Sequence, residues 1–255
     1  MVDGYEIEAF EGPNLVRVSE NFYADQTEVS NLFYKEYLYW LESVFGTESA
    51  EYIRAFPDST VWTYQKEIEI DFDTYFWSYI FDDYPVVGIT LEQAKNYSSW
   101  RTDRVLELTL IDFGYLPLDL KENRKNYFSV ERLINGEVEL LRELKDLLVY
   151  TIYEVPTIEQ WDELSGLISD SEKEKANSYS SRIYKQLRPY DDGRKNKFGI
   201  YNVVGNVAEL VDSPGVTKGG SWKHHPDDTP PLENFKQNIP NCWTGFRTVG
   251  RLAVY

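Results

Sequence analysis

The sequence predicts an α+β fold with short strands, several helices and much irregular structure. Residues 15–18 alternate in the manner of a strand, and large apolar residues within 33–44 recur at helical spacing. Glycines divide the last third of the chain into short apolar runs, at 198–204, 216–222 and 246–254. We therefore expect few long strands and a mixture of both element types.

The first predicted elements are a strand at 15–18 and the helix that follows it. Residues 21–25 are compatible with a continuation of the strand. The helix carries an apolar stripe formed by Phe33, Tyr37, Trp40, Leu41 and Val44. Gly46 stands where such a helix would end in a left-handed residue. An aromatic stripe of this kind predicts packing in the core rather than contact with a cofactor.

Two capping boxes mark later helix starts. In each of them a threonine is followed by a glutamine at the spacing of reciprocal capping, at Thr90 with Gln93 and at Thr157 with Gln160. The residues after Thr90 are rich in helix formers, so the helix is expected to run to about Arg101.

The segment 104–153 carries two further helical patterns, the second of which is set by Val138, Leu141, Leu144 and Leu148. Its many charges are most simply explained as a solvated helix face. Residues 169–197 are polar and predict an irregular loop region. The sequence contains no internal repeat and no low-complexity linker, so one domain over 1–255 is the simplest partition.

The net charge limits the kinds of partner that the chain can bind, and the cysteine content limits the covalent cross-links that can stabilise the fold. The chain has 255 residues, 43 acidic and 26 basic side chains, and a formal net charge of −17. This balance argues against nucleic acid and anionic lipid as partners, and it favours divalent cations as ligands. The lone cysteine, Cys242, permits no internal disulfide bond.

Membrane and export segments are not evident in the sequence. The stretch 1–6 is acidic, where a signal peptide would be basic and then apolar. The longest apolar stretch, around 147–153, is too short to cross a bilayer. We expect no membrane span. A cytoplasmic protein and an exported protein without its leader both fit these observations.

Six short segments follow one another in a characteristic order. They are DQTEVSN at 25–31, YPVVGIT at 84–90, VPTIEQW at 155–161, FGIYNVVGNVAE at 198–209, KGGSW at 218–222 and GFR at 245–247. In this order they resemble the formylglycine-generating-enzyme, or sulfatase-modifying-factor, family. The resemblance implies that family's fold, a variant of the C-type-lectin fold.

Within that family the chain resembles the gliding-motility lipoproteins of the K and J type. The segments 57–62 and 100–105 carry this likeness, together with a helical insertion at about 104–153 that catalytic members lack. The likeness implies a structural component of the bacterial cell envelope, in the periplasm or at the outer membrane. Its partners would be proteins of the gliding-motility and type IX secretion machinery. The lipidation cysteine and leader of those lipoproteins are not seen here, and the oligomeric state stays open.

Catalytic members of the family oxidise a substrate cysteine with two thiols that hold copper just after the Gly-Gly-Ser motif. In this sequence the thiol positions fall on or near His224 and Thr229, and Cys242 lies apart from them. Because copper(I) needs soft thiolate ligands, the resemblance implies a pseudoenzyme without catalytic residues. Two alternatives stay open: an unusual oxidase that uses Cys242 or the histidines, and a lectin-like module that binds a glycan or a protein.

The adjacent pair His224 and His225 could hold a metal ion with Asp227 or Asp228 nearby. Adjacent side chains on an extended chain point in opposite directions, so both histidines cannot easily grip one ion. A structural role is therefore favoured, and the roles of His224, His225 and Cys242 are left open.

The family resemblance also implies a structural calcium ion. In the family the matching stretch wraps calcium with one side-chain amide or carboxylate, two main-chain carbonyls and a glutamate. Here these positions are Asn202, the carbonyl groups of Gly205 and Val207, and Glu209. Calcium takes six to eight oxygen ligands, so this set would leave room for water. The alternative is that Asn202 and Glu209 are ordinary turn and capping residues.

Overall fold

The mixture of helices and short strands confirms the predicted α+β class. A computed structural model describes residues 12–63, 70–118, 122–141, 148–166, 187–193, 195–224, 233–236 and 239–254. The α-helices in these ranges are α1 (Asn31–Phe45), α2 (Ala50–Ala55), α3 (Leu91–Asp112), α4 (Val130–Ile134) and α5 (Ile158–Ser165). The strands are β1 (Leu15–Ser19), β2 (Phe22–Asp25), β3 (Val149–Glu154), β4 (Ala208–Leu210), β5 (Val216–Lys218), β6 (Phe235–Lys236), β7 (Thr244–Gly245) and β8 (Val249–Val254).

The strands form two sheets of four strands each. The first has the order β1-β2-β8-β3 and is antiparallel, so β8, near the C-terminal end, lies between the early strand β2 and the central strand β3. The second has the order β6-β5-β4-β7, and its β4–β7 pair is parallel. The first sheet thus brings the two ends of the described chain together.

The strand expected at 15–18 is confirmed as β1, but residues 21–25 do not extend it. They return as β2, with Leu15 opposite Asp25. Asn21 occupies the turn with φ of 56°, a left-handed conformation that asparagine tolerates better than most residues. The correction follows from this turn, which converts one predicted strand into a hairpin.

Helix α1 confirms the predicted aromatic stripe. Ser30 caps its start by accepting a hydrogen bond from the Phe33 amide at 3.3 Å, and Gly46 ends it with φ of 88°. Phe33 and Trp40 are only partly buried, at the edge of the cluster. The buried apolar face consists of Tyr34, Tyr37, Leu38, Leu41 and Val44.

Both capping boxes are confirmed. The Thr90 hydroxyl accepts from the Gln93 amide at 3.1 Å, and the Thr157 hydroxyl accepts from the Gln160 amide at 3.2 Å. In both cases the glutamine side chain reaches back to the threonine amide. Helix α5 therefore begins at a fixed place, which matters because it carries Trp161 into the site described below.

The region 104–153 differs from the expectation in two places. Helix α3 does not end near Arg101 but continues to Asp112, because its next turns bury apolar residues such as Leu106 and Leu110. The second predicted helix is wrong over its described part, since 138–141 are not helical. Residues 142–147 lie outside the described residues, and β3 begins directly afterwards.

The main core lies between α1, α2, α3 and the second sheet. Its buried side chains include Tyr34 from α1, Tyr97 from α3, Val207 beside β4 and Phe246 after β7. The segment that precedes α1 and the loop that precedes β4 both pack against this core. Within the described residues, no helix combines the length and the apolar character needed to cross a bilayer. The irregular region predicted at 169–197 falls largely outside those residues.

Candidate functional site

The loop 202–207 is held in an unusual backbone conformation. Asn202, Gly205 and Asn206 all have positive φ, at 52°, 85° and 53°. Asparagine and glycine are the residues that adopt this conformation at least cost. The Gly205 amide donates to the Gly219 carbonyl at 3.0 Å, and the Trp222 amide donates to the Asn206 carbonyl at 2.8 Å. The loop is therefore tied to the Gly-Gly-Ser segment.

Glu28 lies beneath this loop and is almost wholly buried, with 1% exposure. Its two carboxylate oxygens accept from the side-chain amides of Asn206, at 3.0 Å, and Asn202, at 3.2 Å. Burial raises the pKa of Glu28 to about 8; the positive charge of Arg247 opposes the rise, and the negative charge of Glu209 adds to it. The carboxyl group thus fixes both asparagines from below.

Glu209 and Arg247 form a buried, bidentate ion pair beside Glu28. Arg247 Nη2 lies 2.6 Å from Glu209 Oε1, and Arg247 Nε lies 2.8 Å from Oε2. The Trp161 indole donates to the same Oε2 at 2.7 Å. The guanidinium also donates to the carbonyl oxygens of Asp25 and Tyr201, at 3.1 and 2.9 Å. Arg247 therefore joins three segments of the chain: its own, the one that contains Asp25, and the segment 198–209, which it contacts at two points.

The predicted calcium ligands keep oxygen atoms available. The Asn202 Oδ1 atom and the carbonyl oxygens of Gly205 and Val207 accept no hydrogen bond from the described residues. Among the described residues, two donors reach Glu209 Oε2 and one donor reaches Oε1. A carboxylate oxygen has two acceptor sites, so Oε1 retains one. These four oxygens suit a hard cation, although Arg247 already balances the charge of the glutamate.

The Gly-Gly-Ser segment places His224 in a packed position. The His224 Nδ1 atom lies 2.7 Å from the Ser221 hydroxyl. The His224 ring stacks on Phe235 at 6.4 Å and meets the edge of Trp243 at 6.1 Å. Burial lowers the pKa of His224, and the nearby Lys223 lowers it further. His224 is therefore a neutral imidazole that is held by its neighbours.

The other residues predicted near this segment are only partly described. Thr229, His225, Asp227 and Asp228 lie outside the described residues, so a metal site there stays a prediction. Among the described residues, no group of three or more His, Cys, Asp or Glu side chains is arranged to hold a metal ion.

Cys242 is fully buried, and burial raises the pKa of its thiol to about 11 while Lys223 opposes that rise. The thiol is therefore protonated near neutral pH, and the thiol form is a poor nucleophile and metal ligand. The neighbouring backbone is also engaged, since the Trp222 indole donates to the Cys242 carbonyl at 3.2 Å.

Sequence reasoning missed Glu28 and Arg247 as parts of the site. Both occur in the segments 25–31 and 245–247, whose likeness to the family was noted without a role for these side chains. A third missed contact joins the same segments to α3: Arg101 pairs with the buried Asp25, its Nη2 atom 3.0 Å from Oδ1. The available signal was the place of each charged residue within a family-like segment, Glu28 in 25–31 and Arg247 in 245–247.

Comparison with known proteins identifies the family of the chain and finds two solved structures to which it has some similarity. The family described as sulfatase-modifying factor enzyme 1-like domain matches residues 5–252. Treponema denticola variable protein 1 is 15% identical, with 95% of this chain and 93% of that chain covered and a TM-score of 0.43. CarF is 15% identical, with 90% and 86% covered and a TM-score of 0.43. A search of curated protein sequences returns no significant match.

Proposed function

The chain belongs to the sulfatase-modifying-factor family, and we propose that it is a non-catalytic member that acts as an interaction protein of the bacterial cell envelope. The family match agrees with the predicted variant of the C-type-lectin fold, in which helices and short strands form open sheets. The proposal treats 1–255 as one domain, with 104–153 as an insertion that supplies the binding surface.

The chemistry near the Gly-Gly-Ser segment supports the absence of oxidase activity. Oxidation of a substrate cysteine in this family depends on two thiolates that hold copper, and soft thiolates are not replaced by imidazole and hydroxyl groups. By the family resemblance, those positions fall on or near His224 and Thr229, and neither residue is a cysteine. The thiol of Cys242 is buried and protonated near neutral pH.

The exposed apolar surface of the insertion is the observation that carries the proposed binding role. Within the described part of 104–153, four large aliphatic side chains are 60–87% exposed: Leu108, Leu118, Ile134 and Leu141. The same region has a buried cluster of its own, formed by Leu106, Leu110, Leu116, Phe128, Leu133, Leu148 and Tyr150. We propose that these exposed side chains together form a protein-binding surface, because the segment already buries a core of its own and does not need them for its packing.

Charged contacts hold the insertion against α1. Arg104 Nη1 lies 2.8 Å from both Glu107 Oε2 and Glu122 Oε2, and its guanidinium lies 4.5 Å from the centre of the Trp40 ring. The Trp40 indole in turn donates to Glu122 at 2.6 Å. These contacts fix the insertion relative to the core, so its exposed side chains are presented in one arrangement.

This charged contact predicts a pH dependence of stability. Burial raises the pKa of Glu107 to about 7, against the charge of Arg104. The folded state then keeps a proton that the unfolded chain releases near pH 4.5, so stability should fall as pH rises from about 4.5 to about 7. One such proton contributes at most about 1.4 kcal/mol per pH unit.

Glu107→Gln should make this slope shallower by the contribution of Glu107, as measured by urea unfolding from pH 5 to pH 8, while the buried Glu28 still contributes its own share. Glu139→Gln, at an exposed carboxylate of the same region, is the control and should leave the slope unchanged. If the difference in stability between wild type and Glu107→Gln is the same at pH 5 and pH 8, the assignment to Glu107 is wrong.

The binding role is tested by charging the exposed apolar surface. The full-length wild type and the double variant Leu118→Glu, Ile134→Glu are expressed in cells and cross-linked to bound proteins. We expect the variant to lose most of the partner protein that the wild type captures. Val254→Glu, at another exposed aliphatic position, should capture partners as wild type does. Circular dichroism and the melting temperature establish that the variants fold. Equal partner capture by folded wild-type and doubly charged protein would argue against the insertion as the binding surface.

The envelope assignment rests on the likeness to the gliding-motility lipoproteins. The segments 57–62 and 100–105 support it, and both have defined structural roles here. Asp58 caps the turn at Ser59–Trp62 and donates its amide to the Gly88 carbonyl at 2.9 Å. Arg101 pairs with Asp25. We propose protein partners of the gliding-motility and type IX secretion type on this basis.

Calcium is the cofactor we propose, bound at the loop of Asn202, Gly205, Val207 and Glu209. The available oxygens described above support it, because calcium accepts carbonyl, amide and carboxylate ligands together. The ion would supply no redox chemistry. It would tie the loop 202–207 to β4 and so contribute to the stability of the last third of the chain.

A further inference from the structure

A second surface lies on the outer side of α1 and on the segment that follows Asp71. We call it the acidic aromatic surface. Its apolar members are 39–82% exposed: Leu32, Tyr39, Trp77, Tyr79 and Ile80. Three aromatic rings exposed on adjacent elements are a feature that the core does not require, since buried neighbours such as Phe76 already complete the packing there.

Direct contacts show that the two elements form one surface. The Leu32 amide donates to the Asp82 carbonyl at 3.0 Å. Lys35 forms an ion pair with the Asp82 carboxylate, and its Nζ atom lies 6.0 Å from the centre of the Phe76 ring. Trp77 packs at 6.0 Å against Phe56, which ends α2. The segment that carries Trp77 and Tyr79 is therefore held in place by α1 on one side and by the end of α2 on the other.

Acidic side chains accompany these rings. Four exposed acidic residues belong to the same elements: Glu36, Asp71, Asp73 and Asp83. Hydrogen bonds from Thr74 lower the pKa of Asp71, which keeps that carboxylate ionised. Lys35 is engaged by Asp82 and does not balance them. The whole chain carries a net charge of −17, so long-range attraction acts in the same sense.

We propose that the acidic aromatic surface binds a basic, extended segment of a partner protein. Arginine and lysine side chains would lie over the rings of Trp77 and Tyr79, where cation–π attraction acts, and would pair with the surrounding carboxylates. A neutral glycan also stacks on aromatic rings but gains little from four carboxylates, so the charge favours the basic segment. This inference uses residues outside the insertion and does not depend on the binding role proposed for it.

The first test uses a fluorescein-labelled nona-arginine peptide and fluorescence anisotropy with the full chain at low salt. Trp77→Ala with Tyr79→Ala leaves the net charge unchanged, yet it should weaken binding by about fivefold or more, from two cation–π contacts. Phe113→Ala, at an exposed ring on the insertion, should bind as wild type does. Equal affinity for wild type and the double variant would overturn the proposal, because only general attraction to an acidic protein would remain.

The second test compares two changes that alter the net charge equally. Asp73→Lys on the surface should weaken nona-arginine binding at least about tenfold more than Asp112→Lys at the end of α3. Circular dichroism confirms folding of each variant. The same loss for both changes would overturn the proposal. So would salt-insensitive binding of maltohexaose that depends on Trp77 and Tyr79 in the absence of nona-arginine binding, since that result assigns the surface to a glycan.

Discussion

Replacing Arg247 with alanine is expected to lower the free energy of unfolding by about 3–5 kcal/mol. The change leaves the Glu209 carboxylate buried, and within the part of the chain that the structure describes the Trp161 indole is its one remaining donor. It also removes the donors to the carbonyl oxygens of Asp25 and Tyr201. Removing one member of a buried ion pair costs much more than the pair itself contributes, because the other charge is left unpaired in a poorly solvated place.

Arg251→Ala provides the matched control. Arg251 pairs with Glu154 at 3.1 Å, but the two side chains are 46% and 45% exposed. Water screens such a pair, so its loss should cost less than about 1 kcal/mol. Urea unfolding at pH 7 measures both variants. A loss for Arg247→Ala that is no larger than the loss for Arg251→Ala would show that the buried pair is not the centre of this site.

Calcium is expected to stabilise the protein by about 2.7 kcal/mol at a hundredfold excess over its Kd, relative to EDTA. For a chain of this size, that corresponds to a rise in Tm of about 5–10 °C. Glu209→Ala should abolish the response, but it should also destabilise the protein in EDTA, because Arg247 then loses its partner. A cleaner variant is therefore needed.

Asn202→Gly is that variant, since glycine keeps the positive φ of 52° and removes only the side chain. It should reduce the rise in Tm caused by calcium. Asn21→Gly, at a residue with φ of 56° in the β1–β2 turn, should retain the full rise. If wild-type Tm is the same in calcium and in EDTA, the proposed ion does not bind, and Asn202 is a turn residue held by Glu28.

The parts of the fold that local chemistry decides could be predicted from the sequence. Both capping boxes were located because a threonine and a glutamine at this spacing satisfy each other without help from distant residues. The stripe on α1 was located because helical periodicity determines which side chains share a face. The start of α5, and hence the position of Trp161, follows from such local rules.

Longer-range packing decided the features that were missed. The run of helix formers after Thr90 predicted a helix to about Arg101, but burial of Leu106 and Leu110 within the insertion sustains α3 to Asp112. Apolar spacing around Val138 suggested another helix. Pairing of β3 with β8 along six residues instead takes the end of that region into the sheet.

The candidate site shows the same division. Its loop was located from the motif at 198–209, but the contacts of Glu28 and Arg247 were not. Asn202 and Asn206 are separated from Glu28 by 174 and 178 positions in the chain, and no periodicity connects them. Pairing across such distances becomes visible only when the sheets bring the segments together.

Incubation with a cysteine-containing sulfatase-type peptide and copper, followed by mass spectrometry, tests the central claim most directly. The imidazole of His224 and the buried, protonated thiol of Cys242 cannot reproduce a copper site with two thiolates. We therefore expect no formylglycine above the level of a reaction without protein, with or without copper. Conversion of the peptide cysteine to the aldehyde above that level, lost in Cys242→Ser, would contradict the account and identify the chain as an oxidase.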